Sequence, residues 1–108
     1  MTLPPPLSNG RYLLQKLLGE GGMASVYVAQ DQVLGVHRAI KMLAPRLCAN
    51  SRIRQRFIDE ARAMARMKHA NIVTVHDVGV EGGQQPYIIM ELVRGGSVGD
   101  LIKIDGSQ

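Results

Sequence analysis

Hydrophobic and polar positions change period along this chain, and the changes mark its elements. Residues 12–18 are leucine-rich and free of Gly or Pro until Gly19, and residues 25–30 return with the β-favouring Val26, Tyr27 and Val28, which predicts strand, glycine turn, strand. Over residues 37–43 the period is two, so Ala39 and Lys41 share one face of a third strand and Ile40 and Met42 the other. After a turn at Pro45, with Asn50 or Ser51 as cap, the period becomes helical. At about 100° per residue Ile53, Phe57, Ile58, Ala61, Met64 and Ala65 form one arc, and Arg52, Arg56, Asp59, Arg62 and Arg66 gather opposite. Residues 72–78 and 87–93 read as two more strands joined by the turn-like Glu81-Gly82-Gly83-Gln84-Gln85. The pattern predicts an α+β fold of five strands and one main helix.

The first turn carries the candidate chemistry. In Leu18-Gly19-Glu20-Gly21-Gly22-Met23-Ala24-Ser25-Val26-Tyr27 the glycines let backbone N–H groups approach a phosphate with no Cβ in the way. A dinucleotide fold would open a helix here, whereas this turn leads into a strand. Lys41, an ammonium among apolar neighbours, calls for an anion: a carboxylate, a phosphate, or each in turn. Glu60 sits at the edge of the apolar arc, between Met67 and Ile53, and is expected to point toward the core and meet Lys41. Taken singly, the glycine turn also fits an ordinary hairpin and Lys41 a surface lysine.

Together, the glycine loop, Ala39-Ile40-Lys41, a helix bearing Glu60 and the run His69-Ala70-Asn71-Ile72-Val73 resemble the small lobe of a protein kinase. Gly21-Gly22-Met23 and Pro86-Tyr87-Ile88-Ile89-Met90-Glu91-Leu92-Val93 are similar to the eukaryotic-like Ser/Thr kinases of bacteria, with the match covering residues 10–101. The resemblance implies a five-stranded antiparallel sheet with one αC-like helix, between a flexible leader (1–9) and a tail (102–108). It also implies an ATP site: Leu18, Gly19, Gly21 and Val26 over phosphates and adenine, Ala39 lining the adenine pocket, and Lys41 on the α- and β-phosphates, paired with Glu60. Met90 resembles the gatekeeper, Glu91 and Val93 offer hinge backbone to adenine, and Gly95-Gly96 would turn the chain toward a second lobe. Ala24 departs from the family by replacing the loop's third glycine. The His-Arg-Asp and Asp-Phe-Gly segments of a kinase's large lobe do not occur, and neither Asp100 nor Asp105 stands in such a context. These residues are therefore expected to be a fragment or natural truncation that does not transfer phosphate alone; magnesium and a protein substrate would belong to the complete enzyme.

Composition and charge alter this picture little. One domain's length, 45% apolar residues and no membrane-length apolar run fit a small α+β unit. With no Trp and only Phe57 as phenylalanine, the core draws on Leu, Ile, Val and Met, with Met42, Met64 and Met90 as gap fillers and Met23 as an exposed flap. The net charge of +4 arises in residues 51–68, which hold six Lys/Arg and two acids. The arginines alternate with core positions and no aromatics interleave, which disfavours nucleic-acid binding. His37, His69 and His76 lack ligand spacing, so no metal site is expected. The single Cys48 and a start without a signal peptide's basic and apolar regions point to the cytoplasmic side, while relatives' kinase domains are often followed by a membrane span.

An alternative role is that of an interaction module. In receptor-like bacterial relatives the small lobes associate back to back, and the matching positions here are Arg11, Leu34 and Asp77. An Arg–Asp pair around a leucine suits a two-fold homodimer contact.

Overall fold

In the computed structural model, residues 3–66 and 74–92 are described. Five strands, β1 (Tyr12–Glu20), β2 (Ala24–Asp31), β3 (Val36–Leu43), β4 (Val75–Glu81) and β5 (Gln85–Glu91), form one sheet in the order β1-β2-β3-β5-β4. Every neighbouring pair is antiparallel. One helix, α1 (Ser51–Arg66), follows a short 3-10 turn at Pro45–Leu47. The α+β expectation of five strands and one main helix therefore holds.

Local sequence explains most boundaries. The Asn50 side-chain oxygen accepts from the amides of Arg52 (3.0 Å) and Ile53 (3.2 Å), and its carbonyl accepts the first helical bond from Arg54, so Asn50 rather than Ser51 is the cap. Gly82 and Gly83 both have positive φ (62° and 75°), the backbone that a tight hairpin turn requires. β5 is shifted two residues toward the N-terminus of the expected span, because this turn occupies fewer residues than the Glu81-to-Gln85 run implied. Pro86 fits inside β5 because the pairing with β3 runs only as far as Tyr87, leaving no partner on that side for a missing N–H.

The sheet buries both faces. Ala24, Val26, Ala39, Leu43, Ile88 and Met90 pack with Cys48, Phe57 and Ala61 on the helix side, while Tyr12, Leu14, Ala29, Ile40, Met42, Tyr87 and Ile89 form a second cluster opposite. The alternation expected in β3 thus separates two cores rather than a core from solvent. Leu7 closes the second cluster at 2% exposure and exchanges backbone hydrogen bonds with Tyr12 at 2.9 and 3.1 Å. The expectation of a flexible leader through residue 9 is corrected at this point: an uncovered apolar sheet face recruits the chain just before β1.

The expected His69-Ala70-Asn71-Ile72-Val73 run, the start of the fourth strand at residues 72–73, Val93, Gly95-Gly96, Asp100, Asp105 and the tail 102–108 lie outside the described residues.

Candidate functional site

Strand register brings Lys41 and the predicted apolar residues Val26, Ala39 and Met90 to the helix side of the sheet. Val26 pairs with Lys41 across β2–β3, and Lys41 with Ile88 across β3–β5, so an ammonium only 5% exposed is set between apolar strands. Val26, Ala39 and Met90 are each buried to 2% exposure or less, and Leu18 and Leu92 pack against the same cluster. Leu18 gains this contact through a register shift between Leu17 and Gly19, which a leucine-rich run cannot reveal. Glu91 is exposed at the end of β5, and its amide donates to the Thr74 carbonyl at 2.9 Å.

The glycine hairpin stands at the end of β1 and β2. Gly21, Gly22 and Met23 are exposed, and the Gly21 amide closes the turn on the Ala24 carbonyl at 2.8 Å. Its tip is joined to the segment after β3 twice: the Ala44 amide donates to the Met23 carbonyl at 2.8 Å, and the Arg46 guanidinium donates to the Gly22 carbonyl. Sequence reasoning passed over Arg46, because nothing local ties residue 46 to residue 22.

Glu60 stands apart from Lys41 in this structure. It is exposed on α1, beside Arg52, Gln55, Arg56 and Asp59 around an open surface hollow, and among the described residues no ion pair joins it to Lys41. Phe57 faces the lysine instead, with its ring centroid 5.3 Å from Lys41 Nζ, a cation–π distance. The cause lies in the wheel itself. Arg54 and Glu60 fall about 60° to either side of Phe57, and Arg54 Nη1 donates to the Cys48 carbonyl at 2.6 Å, which draws its edge of the helix inward and turns the Glu60 edge out. Burying the Phe57 ring contributes about 2 kcal/mol, while a buried glutamate would first lose its water. Cys48 lies under the same helix start, where burial pushes its thiol pKa up.

A second polar site occupies the opposite end of the sheet. Arg11, Leu34 and Asp77, the three expected interface residues, line one hollow of about 230 Å³ together with Asp31, Arg38 and His76. Leu34 is 60% exposed, next to Val33 at 69%. Arg11 meets Asp31 through Nε (3.1 Å) and Nη2 (2.9 Å), and Asp31 Oδ1 also accepts the Val33 and Leu34 amides at 3.0 and 3.1 Å. The Arg11 hydrogen bond, helped by the two amides, holds the Asp31 carboxyl at about 2, well below its ordinary value and against the opposing effect of burial. Asp31 was missed, although an Asp followed by Gly35 across a short turn is the usual sign of a side chain capping its own turn.

Comparison with known proteins agrees with this geometry. The family model described as "Protein kinase domain" matches residues 12–108. The chain is 47% identical over 105 residues to the serine/threonine-protein kinase PksC of Streptomyces coelicolor, covering 94% of this chain and 19% of that protein. It is 40% identical over 109 residues to the serine/threonine-protein kinase PknB of Mycobacterium leprae, covering 98% of this chain and 17% of that one. Its fold is similar to the crystal structure of the Mycobacterium tuberculosis PknI kinase domain, with a TM-score of 0.65 and 33% identity over 86% of this chain and 38% of that structure. The chain therefore spans under a fifth of the length of the two relatives.

Proposed function

The chain belongs to the protein kinase family, as part of a kinase domain of the Ser/Thr type, and on that footing we propose that it is the ATP-binding small lobe. The observation that carries the proposal is the burial of Lys41 on the face where Val26, Ala39 and Met90 form an apolar wall beneath the glycine hairpin. A cation beside an apolar wall suits a nucleotide, whose phosphates meet the ammonium and whose flat heterocycle meets the wall.

The roles follow from position. The hairpin's amides face the phosphates, Lys41 neutralises the α- and β-phosphates, and Leu18, Val26, Ala39 and Met90 enclose adenine, whose edge meets the backbone of Glu91; Val93, outside the described residues, joins the hinge on the family resemblance alone. Glu60 acts after α1 turns. It lies about 60° around the helix from Phe57 and about 4.5 Å along it, so a modest rotation exchanges ring for carboxylate beside Lys41 and orients the ammonium. Phosphoryl transfer to protein Ser/Thr, with magnesium, belongs to the complete kinase, because these 108 residues hold no His-Arg-Asp or Asp-Phe-Gly segment. We place the lobe on the cytoplasmic side, where ATP and protein substrates meet.

Titration of the isotopically labelled chain with a non-hydrolysable ATP analogue and magnesium tests the assignment by NMR. Shifts centred on Gly19, Gly21, Val26, Lys41 and Glu91, lost in Lys41→Met, are expected. A folded chain whose spectrum does not respond would overturn nucleotide binding by the isolated lobe. In a complete kinase carrying this lobe, Lys41→Met should abolish phosphorylation, and retained activity would remove Lys41 from its role.

A second reading is favoured by the outer hollow, which gathers Arg11, Leu34 and Asp77 with charges of both signs. A self-complementary patch of this kind suits a two-fold homodimer through the backs of the lobes. Sedimentation should show self-association of the wild type that weakens in Arg11→Ala and Leu34→Asp; three equally monomeric proteins would sink the idea.

A further inference from the structure

We propose that Arg46 is a positioning residue for the phosphates, acting as a clasp that pre-orders the glycine-hairpin tip. The proposal rests on the reading of that hairpin as the phosphate cover. The tip has little packing to hold it: Gly21, Gly22 and Met23 are exposed, and a Cβ built on Gly22 would meet no atom within 4 Å. Its place is held by hydrogen bonds. Two of these are backbone bonds, Gly21 to Ala24 and Ala44 to Met23, which continue the strand ladders. The third runs from the Arg46 guanidinium to the Gly22 carbonyl at the centre of the tip.

The segment bearing Arg46 is itself anchored. Pro45 starts a 3-10 turn closed by bonds from the Leu47 amide to Ala44 (2.9 Å) and from the Cys48 amide to Pro45 (3.1 Å), and Arg54 of α1 grips the Cys48 carbonyl at 2.6 Å. The hairpin tip is thereby tied to the start of α1 through two arginines. A tip without this clasp has to be ordered when its amides meet phosphate, and that entropy is subtracted from affinity. The wall for the heterocycle lies deeper in the sheet and makes no use of Arg46.

The two parts of a nucleotide thus separate the clasp from a general effect on folding. In the 108-residue chain, Arg46→Met should weaken binding of the ATP analogue about three- to tenfold, the range expected for one hydrogen bond, while adenosine binding stays unchanged. Arg46→Lys, which keeps one donor, should recover part of the loss. Amide relaxation at Gly21, Gly22 and Met23 should show greater mobility in Arg46→Met. Equal loss for ATP analogue and adenosine, no loss for either, or unchanged tip relaxation would overturn the clasp. A wild type that binds neither ligand would instead overturn the nucleotide reading on which the clasp depends.

Discussion

The outer hollow and the glycine-hairpin site hold their central cations in different ways. In the hollow, Arg11 meets Asp31 along two hydrogen bonds, and the buried carboxylate also caps the β2–β3 turn. At the hairpin site Lys41 stands over the ring of Phe57, and the acid on the same helix faces away. The distinction is one of scaffolding. Arg11 and Asp31 lie beside the strand pair Tyr12 and Asp31, so backbone hydrogen bonds set their separation. Lys41 and Glu60 belong to a strand and a helix that share no sheet ladder, so no such register sets their separation. A fixed pair suits a recognition surface, and an adjustable one suits a site that is assembled on demand.

The largest effect is expected at Phe57. Phe57→Ala removes the largest helix-side contact of the core and should cost about 3 to 5 kcal/mol by urea denaturation; a loss below about 1 kcal/mol would mean that α1 is not held by this ring. Asp31→Asn should cost about 2 kcal/mol, because charge-assisted bonds to Arg11 and two amides are weakened together. The same residue predicts a pH signature. Its folded-state pKa is lowered to about 2 from 3.8, so its contribution is complete above the unfolded value and disappears as pH falls through the folded one. The stability gap between wild type and Asp31→Asn should stay constant above about pH 5 and close between about 4 and 2. A gap that persists at pH 2 would contradict the ion pair.

Smaller effects are expected at Asn50 and Glu60. Asn50→Ala should lower stability by about 1 kcal/mol through loss of the cap on α1, read from the denaturation midpoint. Glu60→Gln should change the stability of the free chain by less than about 0.5 kcal/mol, since the side chain is exposed. A much larger loss would show that Glu60 is already engaged with the core in solution.

Most of the fold was legible because it rests on local signals. Asn50 announces a helix start, Gly82-Gly83 a tight turn, and the period-two stretch around Lys41 a strand whose alternate residues part to opposite faces. Val26, Ala39 and Met90 were singled out through the resemblance to a kinase small lobe rather than by periodicity, and strand register gathers them into one helix-side cluster. Other features were not legible. Leu7 looked like leader because its partner surface is assembled from β1, β2, β3 and β5. Asp31 and Arg46 act on residues 20 and 24 positions away, beyond the reach of any periodicity, and only the turn-capping half of Asp31's role carries a local sign.

Sequence alone determined the order of the elements and the two faces of β3, where Ala39 and Lys41 part from Ile40 and Met42, because hydrogen-bonded strands convert residue spacing directly into position. Tertiary structure decided which acid meets which base. Periodicity places Glu60 at the margin of a helical arc, and there the balance between burying the Phe57 ring, anchoring Arg54 on Cys48 and keeping a carboxylate in water selects the rotation that the helix adopts.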